Sequence, residues 1–261
     1  MILIRGAGDI ASGIAVRLHR SGFTLAMTDL EKPTSIRRTV CFSEAILHGS
    51  CTVEDITAER ATTREDAASI WRQDHIPVFA DDAGTILSLL RPDAVVDARL
   101  AKVNLDTSIT DAPIVIAVGP GFTAGMDCHA VVETQRGHYL GRAIYEGSAA
   151  PNTGVPGNIG GYTVERIIRS PKSGVFHPIH AIGDQVTADE VVAYVDEEPV
   201  HCLIGGTLRG ILPEGIVVSA GMKSGDVDPR CQPDHCLCAS DKALSVGGGV
   251  LEALLHFGYR E

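Results

Sequence analysis

The feature that most constrains this chain is the run Gly6-Ala7-Gly8-Asp9-Ile10-Ala11, set between an apolar segment, residues 2 to 5, and a stretch with Ile10, Ile14 and Leu18 at helical spacing. Its pattern, G-x-G-x-x-A, serves a tight turn from a strand into a helix. The first glycine makes the turn, the second admits close backbone approach, and the helix start points its N–H groups outward. Ser21-Gly22 ends the helix, residues 24 to 28 read as a second strand, and Asp29 closes it. Together these make one βαβ unit of about 30 residues.

Further apolar strands are expected at 78–80, 94–97 and 114–118, with helical stretches near 63–72 and 82–90 between them. Apolar runs alternating with helices predict a parallel sheet covered on both faces, a Rossmann-like α/β domain over residues 1–125. Residues 126–170 form a connecting segment with charged motifs; its part from 147 to 161 carries Gly147, Pro151, Gly154, Pro156, Gly157, Gly160 and Gly161, too punctuated for a long element. Over 171–228 period-two segments dominate, and the echo of Gly183-Asp184 in Gly225-Asp226 predicts a small β module of two related halves, similar to the lipoyl and biotinyl barrel sandwich. Its middle stretch, residues 203–209, lacks the Lys that carries a covalent cofactor. Residues 229–261 are read as a loop and a C-terminal helix packing back on the first domain. Gly247-Gly248-Gly249 within that helix cost about 1 kcal/mol each against alanine, so either the helix begins after them or they allow close packing or a backbone contact to a ligand.

With 261 residues, 44% of them hydrophobic and 21% charged, and a mean hydropathy of +0.13, the chain is expected to fold as a globular protein with a sizeable core. The 22 basic and 33 acidic residues give a net charge of −11, and no basic run exceeds Arg37-Arg38, which argues against a nucleic-acid partner. No stretch is long and apolar enough for a membrane span, and the opening residues leave no room for a signal peptide. The 7 cysteines, odd in number and mostly dispersed, argue against a disulfide framework. A cytoplasmic protein is expected.

Candidate ligand-binding residues follow from these placements. Gly6, Gly8 and Asp9 form the first loop, Asp29 is positioned to accept a ribose 2′-OH, and Arg37 and Arg38 could contact phosphate. Gly119 and Gly121 follow a predicted parallel strand, at the carboxyl edge where such folds bind ligands, and Asp97-Ala98-Arg99 ends the strand before it. The segment from Asp127 to Arg142 concentrates Glu133, Arg136, His138 and Arg142, groups suited to acid–base work or anion binding if they converge. Cys231, His235, Cys236 and Cys238 offer soft ligands, but their C-x4-C-x-C spacing is not that of a structural zinc site, and no metal is assigned. Reactivity at Cys236 would need a lowered pKa from Arg230 or Lys242.

Taken together, Arg5-Gly-Ala-Gly-Asp-Ile-Ala-Ser-Gly13, Arg37-Arg-Thr-Val-Cys-Phe-Ser-Glu44, Pro120-Gly-Phe-Thr-Ala-Gly125, Glu133-Thr-Gln-Arg-Gly-His-Tyr-Leu-Gly-Arg142, Gly221-Met-Lys-Ser-Gly-Asp-Val-Asp-Pro-Arg230, Ser240-Asp-Lys-Ala243 and Gly247-Gly-Gly-Val-Leu-Glu252 resemble the YqeB-type accessory proteins of the selenium-dependent molybdenum hydroxylase system. The resemblance covers nearly the whole chain. It implies a protein that helps mature a molybdenum hydroxylase, with the apoenzyme or its maturation proteins as partners. By position it implies functional roles for Gly6, Gly8, Asp9, Arg37, Arg38, Arg136, His138, Arg142, Asp226, Asp228, Arg230, Cys236, Asp241 and Lys242. Where the family pattern tends to have Cys, this chain has Ser240, with Cys236 four residues before it; Cys231 and Cys238 are additions.

The leading expectation is a nucleotide-bearing ligand, such as a molybdopterin dinucleotide form, held during insertion or modification of the hydroxylase cofactor. Seventeen of the 22 basic residues are Arg, which suits planar phosphate recognition. Cys236, His138 and Lys242 are the catalytic candidates if there is turnover, Cys236 as a carrier of sulfur or selenium. The alternatives are an NAD(P)-dependent oxidoreductase in which Asp29 selects the ribose, and a noncatalytic insertion chaperone. A homo-oligomer fits any of these readings.

Overall fold

The computed structural model describes residues Met1 to Arg260 and divides into two compact units. The first comprises Met1–Pro33, Cys41–Thr153 and the segment from Ala239; the second comprises Thr34–Val40 and Gly154–Cys238.

Nine strands form the sheet of the first unit: β1 (Ile2–Arg5), β2 (Leu25–Asp29), β3 (Ser50–Val53), β4 (Ile56–Ala61), β5 (Ile76–Ala80), β6 (Ala94–Asp97), β7 (Ile114–Val118), β8 (Ala130–Val132) and β9 (Ala143–Ile144). Their order is β3-β4-β5-β2-β1-β6-β7-β8-β9. The strands from β4 to β8 pair in parallel, and the edge strands β3 and β9 are antiparallel. From β1 the order passes to β2 and then β5 and β4 on one side and to β6, β7 and β8 on the other, so the chain switches direction between β1 and β6, as in Rossmann-type sheets. Residues of β1, β6 and β7 are buried throughout, as expected of parallel strands covered on both faces.

The unit's helices are α1 (Asp9–His19), α2 (Glu44–His48), α3 (Arg64–Trp71), α4 (Ile86–Leu90) and α5 (Asp241–His256). Ile10, Ile14 and Leu18 of α1 are buried, as their spacing predicts. The helix α5 runs straight through Gly247-Gly248-Gly249, so of the two readings of those glycines the later start fails and close packing stands. A Cβ on Gly13 would sit 2.4 Å from that of Ala243, and one on Gly247 would sit 3.0 Å from the Cβ of Arg17. Only glycine lets α1 and α5 approach this closely. On the other side of α5, a Cβ on Gly249 would fall 2.0 Å from the carbonyl oxygen of Gly141.

Two antiparallel sheets of four strands each build the second unit, from β10 (Ile167–Arg169), β11 (Gly174–Pro178), β12 (Gln185–Val186), β13 (Val191–Val195), β14 (Glu198–His201), β15 (Gly206–Ile211), β16 (Val217–Val218) and β17 (Lys223–Asp228). One sheet has the order β10-β17-β15-β12 and the other β14-β13-β11-β16. Phe176, Val192, Val195, Leu208, Ile211 and Val227 share a core. Thr34–Val40 belongs here: the Ile36 carbonyl accepts the Ile211 N–H at 2.8 Å, and a Cβ on Gly210 would lie 2.9 Å from that same Ile36 oxygen.

Candidate functional site

At the carboxyl edge of the parallel sheet, Gly6 turns with φ +107, and a Cβ there would meet the Ala98 carbonyl at 2.9 Å. The loops after β1 and β6 therefore touch through this glycine. The loop is braced from below: Gly6 N–H donates to the Thr28 carbonyl at 2.8 Å and Ser43 N–H to the Ala7 carbonyl at 3.0 Å. Ser12 Oγ donates to the Ala7 carbonyl at 3.1 Å and accepts the Phe42 N–H at 2.8 Å. Gly8 is the N-cap of α1 and offers no side-chain acceptor. The N–H groups of Gly8, Ile10 and Ala11 meet no protein acceptor among the described residues, as is usual for a helix start without a cap. Asp9 stands in the first turn, where its charge suits the helix dipole.

Asp29 ends β2 as expected, but its carboxylate serves the loop. Its Oδ2 accepts the Ala7 N–H at 2.7 Å and its Oδ1 the Leu30 N–H at 2.8 Å. Burial raises its pKa, with those N–H groups pulling the other way.

Beside the loop lies an ionic network that pattern reading did not foresee in full. Arg5, at the end of β1, donates from Nη2 to both oxygens of Asp106 at 2.8 and 2.7 Å and from Nη1 to Thr107 Oγ1 at 2.9 Å. Asp97, level with Arg5 in the neighbouring β6, is 1% exposed. Its Oδ2 accepts from Arg99 Nη2 and from Thr107 Oγ1, each at 2.6 Å, and Arg99 Nη2 also reaches Asp106 at 2.6 Å. The residues after β6 thus fold over the strand ends and supply the counter-charges for Arg5 and Arg99. The signal available in the sequence was an Arg closing an apolar strand and an Asp-x-Arg closing its neighbour.

Gly119 and Gly121 turn with φ +82 and +107. A Cβ on Gly119 would crowd Thr134 Oγ1 at 2.9 Å, and one on Gly121 would meet Val103 Cα at 2.6 Å. In the charged segment beyond, Arg136 forms a two-pronged pair with Asp241, the first residue of α5, at 2.7 and 2.9 Å. The Arg142 guanidinium sits 4.7 Å above the Tyr139 ring, while His138 is exposed and meets that ring edge-on. Lys242 is half-buried in the first turn of α5. Glu133 is buried, and its carboxylate gathers three backbone N–H groups, from Thr134 at 2.7 Å, Gln135 at 2.6 Å and Ala150 at 2.7 Å. It pins both ends of the excursion that carries Arg136, His138 and Arg142. Glu133→Gln turns one acceptor into a donor facing N–H groups, and we expect a loss of about 2 kcal/mol in urea unfolding.

The other expected residues lie in the antiparallel unit. Arg37 Nη2 donates to the His235 carbonyl at 3.3 Å and Arg38 Nε to the Ile211 carbonyl at 3.0 Å. Asp226 holds Arg166 at 2.8 Å, and Asp228 holds Arg230 through Oδ1 at 2.9 Å and Oδ2 at 2.7 Å. Burial would raise the Asp228 carboxyl, but the Arg230 guanidinium and N–H, with the Arg209 charge behind them, outweigh it and hold it at about 2 against an ordinary 3.8. Stability from this depressed group is fully present above the unfolded value and disappears as pH falls through the folded one, a difference of about 2 kcal/mol. Asp228→Asn is therefore expected to be destabilising near neutrality and to converge with the parent chain in urea unfolding at about pH 2. Cys236 is buried and Cys231 and Cys238 are exposed. Burial raises the Cys236 pKa, against the opposing charges of Arg209 and Arg37, so the side chain is a neutral thiol. Among the described residues no group of three or more His, Cys, Asp or Glu is placed to hold a metal ion, and no helix is long and apolar enough to cross a membrane.

These features define a mixed α/β protein whose mostly parallel Rossmann-ordered sheet carries a glycine turn at its switch point. No family model matches the chain. It is 49% identical over 255 residues to "Uncharacterized protein YqeB" of Escherichia coli (strain K12), covering 98% of this chain and 47% of that protein. This chain spans about half the length of the curated relative it matches. Among solved structures, an aspartoacylase family protein from Mesorhizobium loti aligns over 87% of this chain and 84% of its own, at 13% identity and a TM-score of 0.28. A succinylglutamate desuccinylase/aspartoacylase from Rhodobacter sphaeroides aligns over 24% of this chain and 21% of its own, at 20% identity and a TM-score of 0.22. Likenesses this slight carry no argument about chemistry.

Proposed function

We propose that this chain is a cytoplasmic accessory protein that binds a nucleotide-bearing ligand, a molybdopterin dinucleotide form, and assists maturation of a molybdenum hydroxylase, with the apoenzyme or its maturation proteins as partners. The observation that carries the reading is the uncapped start of α1 at the switch point of the sheet, where Gly6 makes the turn. The N–H groups of Gly8, Ile10 and Ala11 are the donors for phosphate oxygens, aided by the positive end of the helix dipole. An NAD(P)-dependent oxidoreductase fits less well, because the sequence offers no Tyr-Lys or Lys-Asp catalytic pair. The noncatalytic chaperone keeps one observation in its favour: the strand-end charges Arg5, Asp97, Arg99 and Asp106 satisfy one another. We read the antiparallel unit as a lipoyl-like module without a carrier role, since residues 203–209 contain no Lys.

Calorimetric titration separates these readings. Cytidine nucleotides are expected to bind saturably and NAD(H) not, and Gly8→Asp, which brings a carboxylate to the phosphate position, is expected to weaken binding by about a hundredfold. Unchanged affinity in that variant sinks the phosphate loop, saturation by NAD(H) alone restores the oxidoreductase, and silence toward every nucleotide leaves the chaperone.

A further inference from the structure

In the antiparallel unit, Arg209 is a charged side chain within β15, a strand whose every residue is buried. Leu208 and Ile211 beside it belong to the apolar core. The ladder between β15 and β17 slips its register between Leu208 and Gly210, so Arg209 stands at a bulge, a device that re-aims a side chain. The side chain is only 8% exposed, and a guanidinium so placed is costly unless an anion takes up its donors.

No carboxylate in the unit hydrogen-bonds to it. Asp228 is taken by Arg230, which donates to it from Nε, Nη2 and its backbone N–H at 2.9, 2.7 and 3.0 Å. Asp226 is taken by Arg166. Arg209 Nη1 stays 3.6 Å from Asp228 Oδ2, beyond hydrogen-bond reach. Among the described residues its one hydrogen bond runs from Nε to the His235 carbonyl at 3.4 Å, an oxygen that Arg37 Nη2 shares at 3.3 Å. Both Nη nitrogens of Arg209 therefore lack an acceptor, yet neither is among the buried atoms sealed from solvent. The Nδ1 of His235 is sealed and has no hydrogen-bond partner; it lies 3.7 Å from Asp228 Oδ2. A planar fork of donors that is held rigidly, desolvated and open at its tip has the form of an oxyanion receptor.

We propose that Arg209, together with His235, Arg37 and Arg230, forms a binding site for a tetrahedral oxyanion, the phosphate group of a small ligand. Burial and the charge of Arg37 push the Arg209 guanidinium below its usual pKa, a cost that a bound dianion removes. The site lies wholly within the antiparallel unit and does not rest on the glycine-turn reading.

The test is calorimetric titration of the full chain with inorganic phosphate at fixed ionic strength set by chloride. We expect one saturable site per chain, competition by sulfate but not acetate, and at least a tenfold loss of affinity in Arg209→Gln. Arg169→Gln, at an exposed position in the same unit, should bind as the parent does. In phosphate-free buffer the melting temperature of Arg209→Gln should stay within a few degrees of the parent's, since removing a buried cation without a hydrogen-bonded anion offsets the loss of its charge beside Asp228. A clearly lower melting temperature makes Arg209 a structural residue and overturns the proposal, as does phosphate binding that survives the substitution or is displaced by acetate. Should the variant not fold, hydrogen exchange of the parent chain decides. Phosphate must slow exchange over residues 228–236; no slowing, or slowing only over residues 6–11, overturns the site and in the second case assigns phosphate to the glycine turn.

Discussion

Gly249→Ala is expected to cost about 3 kcal/mol or more, or to prevent folding, while Gly248→Ala one residue earlier is expected to add up to about 1 kcal/mol. Both substitutions improve helix propensity equally. They differ in what the new methyl group meets: at 249 it would fall 2.0 Å from the Gly141 carbonyl oxygen, and at 248 nothing lies within 4 Å. Neither partner at 249 can yield cheaply, since one is the backbone of α5 and the other a turn at φ +81. Urea unfolding of the two variants beside the parent chain checks this, and equal shifts in the same direction would refute the close seat of α5.

The second large effect belongs to Asp97. Its carboxylate is the acceptor on which Arg99 and Thr107 converge, and its 1% exposure leaves no water to replace it. Asp97→Ala strands the Arg99 guanidinium and the Thr107 hydroxyl, with an expected loss of about 3–5 kcal/mol, the usual cost of removing one partner from a buried ion pair. A loss below about 1 kcal/mol in urea unfolding would mean that Asp106 alone suffices to hold Arg99.

Much of the parallel sheet was legible because its strands have a local signature. Residues 2–5, 94–97 and 114–118 are short apolar runs bounded by polar or glycine turns, and burial on both faces requires little more. The stripe Ile10, Ile14, Leu18 marked α1 for the same reason. The antiparallel hairpin β3–β4 went unread: Ser50–Val53 buries only Val53, and Ile56–Ala61 buries only Ile56, Ala58 and Ala61, an alternation too weak to stand out from a loop. Glycine function was only half legible. That Gly247 to Gly249 admit close packing could be stated as an option, but choosing it needed the partners, Gly13 and Gly141, which lie more than a hundred residues away in sequence.

The same limit governs the sites. Arg5 and Arg209 each close or interrupt an apolar strand, an observable oddity, but whether such an Arg is paired depends on acids elsewhere in the chain. For Arg5 those acids arrive from Asp106, in a polar stretch with no distinguishing pattern. For Arg209 the nearest one, Asp228, is already engaged by Arg230. Arg37 and Arg38 followed Asp29 closely enough to be read beside it; their backbone instead belongs with the antiparallel unit, in the short segment Thr34–Val40.

The glycine seam between α1 and α5 joins two helices far apart in the chain. On a ribosome, α1 is made long before α5 and must wait, its Gly13 face uncovered, until more than two hundred further residues have been translated and α5 has cleared the exit tunnel. Vectorial synthesis therefore cannot finish the parallel unit before the antiparallel one is already made, and nascent chains stalled short of Asp241 should be the species that holdase chaperones retain.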